Sequence, residues 1–174
     1  FALEMASGLT DDERNLMSAD VRELQQLVDE ILDYARLETG QLPLQLQYID
    51  LNELINNVQE KLTPLPGAPI QLHLPTQAML YGDAHYLERA LQNLLVNAKK
   101  YAQQCITLTL QQQQNHWHID IEDDGPGIPT DKREELFQRG TRLDTYKEGH
   151  GVGLSIVSEL VKSYSGELQV SQSP

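Results

Sequence analysis

From Met17 to Ala35 the apolar positions Met17, Val21, Leu24, Val28, Ile31 and Ala35 alternate spacings of four and three, with Leu27 and Leu32 widening the stripe. That is the heptad signature of a helical bundle or coiled coil. Thr10 followed by Glu13 matches a capping box, and Asp11 and Asp12 add acids in the first turn. The helix is therefore expected to start there and run to about Glu38. Residues 1–6 read as the tail of an earlier helix, stopped at Gly8. One antiparallel hairpin cannot cover so broad a seam, so it is expected to dimerise into a four-helix bundle, the alternative being a long helix lying on its own domain.

Thr39, Gly40 and Pro43 punctuate the end of this helix and set a boundary between residues 1–40 and 41–174. The apolar period then becomes two. Leu42, Leu44, Leu46 and Tyr48 predict a half-buried strand, and a helix capped at Asp50 follows through Leu51, Leu54, Ile55, Val58 and Leu62. Three prolines and a glycine make 63–69 a loop. Further strands are expected around Ile70, Leu72 and Leu74, around Ile106, Leu108 and Leu110, and around Trp117, Ile119 and Ile121, with 111–115 as the turn between the last two. A helix capped at Asp83, a short helix over 131–137 and a final helix over 154–164 stopped at Gly166 complete the order. The sequence predicts an α+β fold with helices on one face of a mixed sheet.

The helix around 89–101, RALQNLLVNAKKY, has two faces. Leu87, Leu91, Leu94 and Ala98 form an apolar side, while Asn93, Asn97 and Lys100 form a polar stripe. Amide oxygens are hard ligands acceptable to Mg²⁺, and a lysine supplies point charge for phosphate. By itself the stripe is equally a solvated helix face. The net charge of −13 removes nucleic acid as a partner, because a phosphate backbone needs a basic footprint. The single cysteine, Cys105, in a strand-like run, reads as a buried small residue in a reducing compartment. No apolar run reaches the roughly 18 to 20 residues of a membrane span, so no membrane contact is expected within this stretch.

Two glycine-rich stretches change the picture. Asp123, Asp124, Gly125, Pro126, Gly127 and Ile128 follow a strand, where glycines let the backbone approach a flat ligand and a carboxylate can accept from its edge. Gly149, His150, Gly151, Val152, Gly153 and Leu154 open directly into a helix, whose free N–H groups suit phosphate. Taken singly, either stretch is weak.

Together and in order, these motifs resemble the boxes of the bacterial sensor histidine kinases, which share an ATP-binding fold with Hsp90 chaperones, gyrase B and MutL. NLLVNAKKY resembles the N box, DDGPGIP and GHGVGLSIV the two glycine boxes, and Leu136, Phe137 and Arg139 the F box. LVDEILDYARLETG resembles the second helix of the dimerisation and phosphotransfer hairpin. The resemblance implies a two-layer α/β sandwich of the histidine kinase and Hsp90 type over 41–174, preceded over 1–40 by part of the dimerising hairpin. Mg-ATP would be the cofactor and phosphoryl donor, and the γ-phosphate would pass to a histidine and then to an aspartate on a response regulator receiver domain. Asn93 and Asn97 would hold Mg²⁺, Lys100 would meet phosphate and Tyr101 would lie beside the nucleotide. Asp123 would accept from the adenine amino group, with Gly125, Gly127 and Ile128 shaping the pocket and Asp124 pointing away from the base. Gly149, His150, Gly151, Val152, Gly153 and Leu154 would wrap the phosphates. Arg139, Arg142 and Lys147 would lie in a lid, Arg142 being the first choice for the γ-phosphate.

The sequence departs from the family in two ways. None of His73, His85, His116, His118 or His150 has the acid and proline that follow the family's acceptor histidine, which is expected outside this chain. The closing strand after the last glycine is also short. By resemblance, the full-length protein would sit on the cytoplasmic side of a bacterial inner membrane. The rival readings are an ATPase of the Hsp90 or MutL class, for which Glu88 would be the water-activating acid, and a scaffold that only binds nucleotide.

Overall fold

The computed structural model describes residues 44–129 and 153–171, together with Thr10, Glu13, Arg14, Met17, Ser18, Val21, Val28 and Arg133. The chain divides into two compact units, Phe1–Gln41 and Leu42–Pro174.

In the first unit the capping box forms. The Thr10 N–H and hydroxyl both donate to Glu13 Oε2 at 2.9 Å, and the Glu13 N–H donates back to Thr10 Oγ1 at 3.4 Å. These bonds, the backbone one foremost, favour the ionised carboxylate and hold Glu13 below its ordinary range. Met17, Val21 and Val28 are exposed within the chain. Leu24, Ile31, Ala35 and the helix expected over 1–6 lie outside the described residues.

The second unit contains β1 (Gln47–Asp50), α1 (Leu51–Leu62), β2 (Ile70–His73), β3 (Met79–Gly82), α2 (Ala84–Tyr101), β4 (Ile106–Gln113), β5 (His116–Asp123) and α3 (Gly153–Ser163). β1 pairs antiparallel with β3 in a two-stranded ribbon, while β2, β4 and β5 form a mixed sheet, β2–β4 parallel and β4–β5 antiparallel. The expected single sheet is thus two sheets, because β3, which the apolar pattern does not predict, pairs with β1. β3 is four residues long with Met79 and Tyr81 exposed, so it carries little apolar alternation. The Trp117 indole N–H, donated to the Met79 carbonyl at 3.0 Å, ties the ribbon to the sheet.

The phase of the first strand is also corrected. Ile49 is its buried residue, whereas Leu46 and Tyr48 face outward. Leu44 lies before the strand and packs elsewhere, so the even-numbered alternation joined two separate environments. In α1 every expected apolar position is buried, and Asp50 accepts the N–H groups of Asn52 and Glu53 as its N-cap. Ile106, Leu108 and Leu110 on the inner face of β4 pack with α1 and with Leu91, Leu95 and Ala98 of α2 in the main core. The opposite face of the sheet is polar, as in a two-layer α+β fold.

α2 is buried on a second side too, where Tyr86 and Ala90 meet Val157 and Leu160 of α3. Leu95, absent from the expected apolar stripe, is fully buried in the main core one turn beyond Leu91, while Leu94, placed in that stripe, packs against the α3 cluster. α3 ends in a Schellman motif in which Gly166 N–H reaches Val161 O and Ser165 N–H reaches Lys162 O, both at 2.9 Å. Ser165, not Gly166, takes the left-handed conformation, at φ 54. Residues 167–171 form no strand. Cys105 is exposed, contrary to expectation, since it precedes β4 and the inward phase begins at Ile106.

Candidate functional site

Two helix termini and one strand end make the site. α2 is capped at its N-terminus by Asp83, a residue only 4% exposed. Its Oδ1 accepts the N–H groups of His85 at 3.0 Å and Tyr86 at 3.2 Å, and its Oδ2 accepts that of Gln45 at 2.7 Å. The Asp83 N–H is donated to the Tyr164 hydroxyl at 2.7 Å, beyond the end of α3. Burial first, and then the Asp83 charge, push the Tyr164 hydroxyl above its ordinary range, the Asp83 N–H acting the other way. This node fixes the start of one helix against the end of another, and with it the direction of the polar stripe.

Asn93, Asn97 and Lys100 lie four and three residues apart on α2, within roughly 60° of one another at about 100° per residue. All three are half-buried. Asn93 and Asn97 are one turn apart, so their amide oxygens suit a shared hard cation. The Lys100 ammonium lies 5.4 Å from the Tyr101 ring centroid, which leaves positive charge at the end of α2. Glu88 lies on another side of the helix, roughly 140° from Asn93 and 180° from Asn97. It pairs with Lys61 of α1 and accepts from Gln92 at 2.9 Å.

Asp123 closes β5 on the same face as Ile119 and Ile121, which pack against the core, so strand alternation turns its carboxylate inward. Its Oδ1 accepts the Gly125 N–H at 2.9 Å. A Cβ on Gly125 would stand 2.5 Å from that oxygen and 2.9 Å from the Tyr101 carbonyl, so only glycine lets the segment lie this close to the end of α2. Gly127 adopts φ +68, and among the described residues nothing lies within 4 Å of a Cβ built there. A tight Gly125 beside an open Gly127 leaves room above the backbone for a flat ligand edged by Asp123. Asp124 points the other way, onto the N–H groups of residues 103–105.

The structure therefore brings Asp123, Gly125 and Tyr101 together. Gly153 and Leu154 form the first turn of α3, where free N–H groups suit an anion. Arg139, Arg142, Lys147, Gly149, His150, Gly151 and Val152 lie outside the described residues, as does the helix expected over 131–137 apart from Arg133. Sequence reasoning passed over Arg133, whose Nε donates to the Ile128 carbonyl at 3.1 Å and holds the end of the glycine segment. It also passed over Lys99, a buried ammonium donating to the carbonyls of Leu65 and Ala68 at 3.2 and 3.3 Å. An apolar period gives no signal for either residue. Among the described residues no helix is long and apolar enough to cross a membrane.

Residues 82–174 match the family described as histidine kinase-, DNA gyrase B- and HSP90-like ATPase. The chain is 31% identical over 165 residues to the sensor protein PhoQ of Escherichia coli O157:H7, an alignment covering 93% of this chain and 34% of that protein. It thus spans about a third of the length of the curated relatives it matches. Its fold resembles the mycobacterial sensor histidine kinase MprB, with a TM-score of 0.63 and 29% identity over 69% of this chain and 80% of that one. It also resembles full-length ShkA, solved with AMPPNP, with a TM-score of 0.76 and 27% identity over 95% of this chain and 38% of that one. The chain belongs to the histidine kinase-, DNA gyrase B- and HSP90-like ATPase family, in its sensor histidine kinase branch.

Proposed function

We infer that this chain binds Mg-ATP between α2 and the Asp123–Ile128 segment and donates the γ-phosphate to a histidine of the full-length kinase, from which it passes to an aspartate of a response regulator. The observation that carries this reading is the junction at Gly125, which sets the inward Asp123 carboxylate against the Tyr101 end of the helix bearing Asn93, Asn97 and Lys100. Asp123 accepts from the adenine amino group, and Gly127 leaves space for the ring. Asn93 and Asn97 are the Mg²⁺ ligands, and their all-oxygen, uncharged donor set fits a cation that reaches the site already bound to phosphates. When bound, Mg²⁺ neutralises charge on the transferring phosphates. Lys100 adds a fixed positive charge, and Gly153 and Leu154 present the N-terminus of α3 to phosphate oxygens, with Gly149, His150, Gly151 and Val152 ahead of them. Arg139, Arg142 and Lys147 are the candidate cations closing over the γ-phosphate.

Such a set positions and neutralises but offers no covalent nucleophile, as phosphoryl transfer to an external acceptor requires. The helical hairpin of the first unit would supply the homodimer contact, and the full-length protein would be a membrane sensor. Incubating the chain with γ-labelled Mg-ATP and the hairpin of the full-length kinase should yield acid-labile, base-stable phosphoprotein. Steady hydrolysis without phosphoprotein would instead favour the Hsp90 or MutL type of reaction. The engagement of Glu88 with Lys61 argues against that outcome, since the carboxylate is held toward α1 and away from the amide stripe.

A further inference from the structure

The connection from α2 to β4 and the segment after β5 are joined by one carboxylate. Asp124 Oδ1 accepts the N–H groups of Gln103 at 2.8 Å, Gln104 at 3.0 Å and Cys105 at 3.3 Å, and Oδ2 lies 2.9 Å from the same Gln104 nitrogen. Three consecutive N–H groups converging on an anion form a nest. The Gln104 bond foremost, with those of Gln103 and Cys105, outweighs desolvation and keeps Asp124 below the ordinary aspartate range. The nest begins directly after Ala102, whose N–H ends α2 on the Ala98 carbonyl at 2.8 Å. One residue along the other strand of the joint, Gly125 lies against the Tyr101 carbonyl. Consecutive residues of one segment thus grip the end of α2 from two sides, Gly125 at Tyr101 and Asp124 at 103–105.

We propose that Asp124 is a positioning residue for adenine recognition, fixing the gap between the Asp123 carboxylate and the Lys100–Tyr101 end of α2 by anchoring the 103–105 turn. The inference rests on the nucleotide-site reading and adds a residue that does not touch the ligand. A binding constellation must be held to about half an ångström to work, and the β5 end and the α2 end belong to different elements that need a tie. Gln103, Gln104 and Cys105 are exposed, so removing the carboxylate hands their N–H groups to water rather than burying them unpaired. The fold survives that loss, whereas the fixed gap does not.

Calorimetric titration of the 174-residue chain with ADP tests this, using wild type, Asp124→Ala and Asp124→Asn, with urea midpoints measured in parallel. Asp124→Ala should bind about tenfold more weakly, the worth of one or two misplaced hydrogen bonds, at a temperature where it is fully folded. Asp124→Asn keeps an oxygen that can accept from the turn and should recover to within about threefold of wild type. Binding by Asp124→Ala within about twofold of wild type overturns the proposal. So does Asp124→Asn as weak as Asp124→Ala, which would make charge rather than the tie decisive, and so does an unfolded Asp124→Ala. If wild type binds no ADP, the nucleotide-site reading itself fails and this inference with it.

Discussion

Asp123 and Asp124 are adjacent, chemically identical and turned to opposite sides of one strand end, and the difference decides what each does. Asp123 faces inward with Oδ1 held by the Gly125 N–H, leaving the carboxylate edge for a donor. Adenine offers its exocyclic amine there, whereas guanine offers O6, and two opposed acceptors cost about 1–3 kcal/mol, or roughly tenfold to a hundredfold. ATP should therefore outcompete GTP for wild type in displacing a fluorescent nucleotide. Asp123→Asn should weaken ATP and narrow the gap, because its NH₂ can turn toward O6; unchanged selectivity in that variant would remove Asp123 from the base pocket. Tyr164 carries a pH signature. Its folded-state pKa is raised, so its contribution to stability is complete below the ordinary tyrosine value of 10.0 and is lost as pH rises from there through the raised value. Tyr164→Phe removes that titration, so urea midpoints between neutral and strongly alkaline pH should fall less steeply than in wild type. Parallel curves would show that the hydroxyl does not titrate with folding.

At the scale of elements, what the sequence made legible was whatever had a single, uninterrupted environment. α1 was readable to the residue because Asp50 caps it and its five apolar positions share one core. β4 and β5 were readable because one face is apolar and the other polar over Ile106–Leu110 and Trp117–Ile121. β3 escaped because its outward Met79 and Tyr81 are larger and more apolar than a solvent face predicts, and the β1 phase was lost because Leu44 packs under α3 rather than on the strand. In α2 the amide stripe was legible, but Leu95 and Lys99 were not, since the main core and the loop after α1 cover the helix further round from Leu91 than the expected stripe reaches. The β4–β5 turn is tighter than expected, both strands running up to Gln114 and Asn115, and Gln114 sits at φ 56. A non-glycine residue there is strained, so Gln114→Gly should stabilise the domain by about 0.5–1 kcal/mol. A rise in melting temperature of a few degrees would agree; a fall would mean that the Gln114 side chain contributes more than its backbone costs.

At the scale of the whole molecule, the first unit carries a capped helix whose described apolar positions are exposed, and the second carries the proposed nucleotide site. For the proposed homodimer, the heptad spacing would place Leu24 and Ile31 in the seam between copies. Replacing both with Asp would bury unpaired carboxylates, so any dimer seen by sedimentation for wild type should dissociate; a dimer indifferent to both changes would place the contact elsewhere. The second unit matches its family over 82–174, and its inward carboxylate and glycine segment converge on the Tyr101 end of the helix that bears the amide stripe. The most direct test of that convergence is titration calorimetry of ATP with and without Mg²⁺ on wild type and Asn97→Ala. Asn97 is half-buried, away from the Leu91–Leu95–Ala98 side that faces the main core, and its amide has no partner among the described residues, so the variant should keep its fold. Asn97→Ala should lose the Mg²⁺-dependent affinity for ATP while its melting curve stays that of wild type; an affinity for Mg-ATP equal to wild type would contradict the placement of Asn97 on the metal.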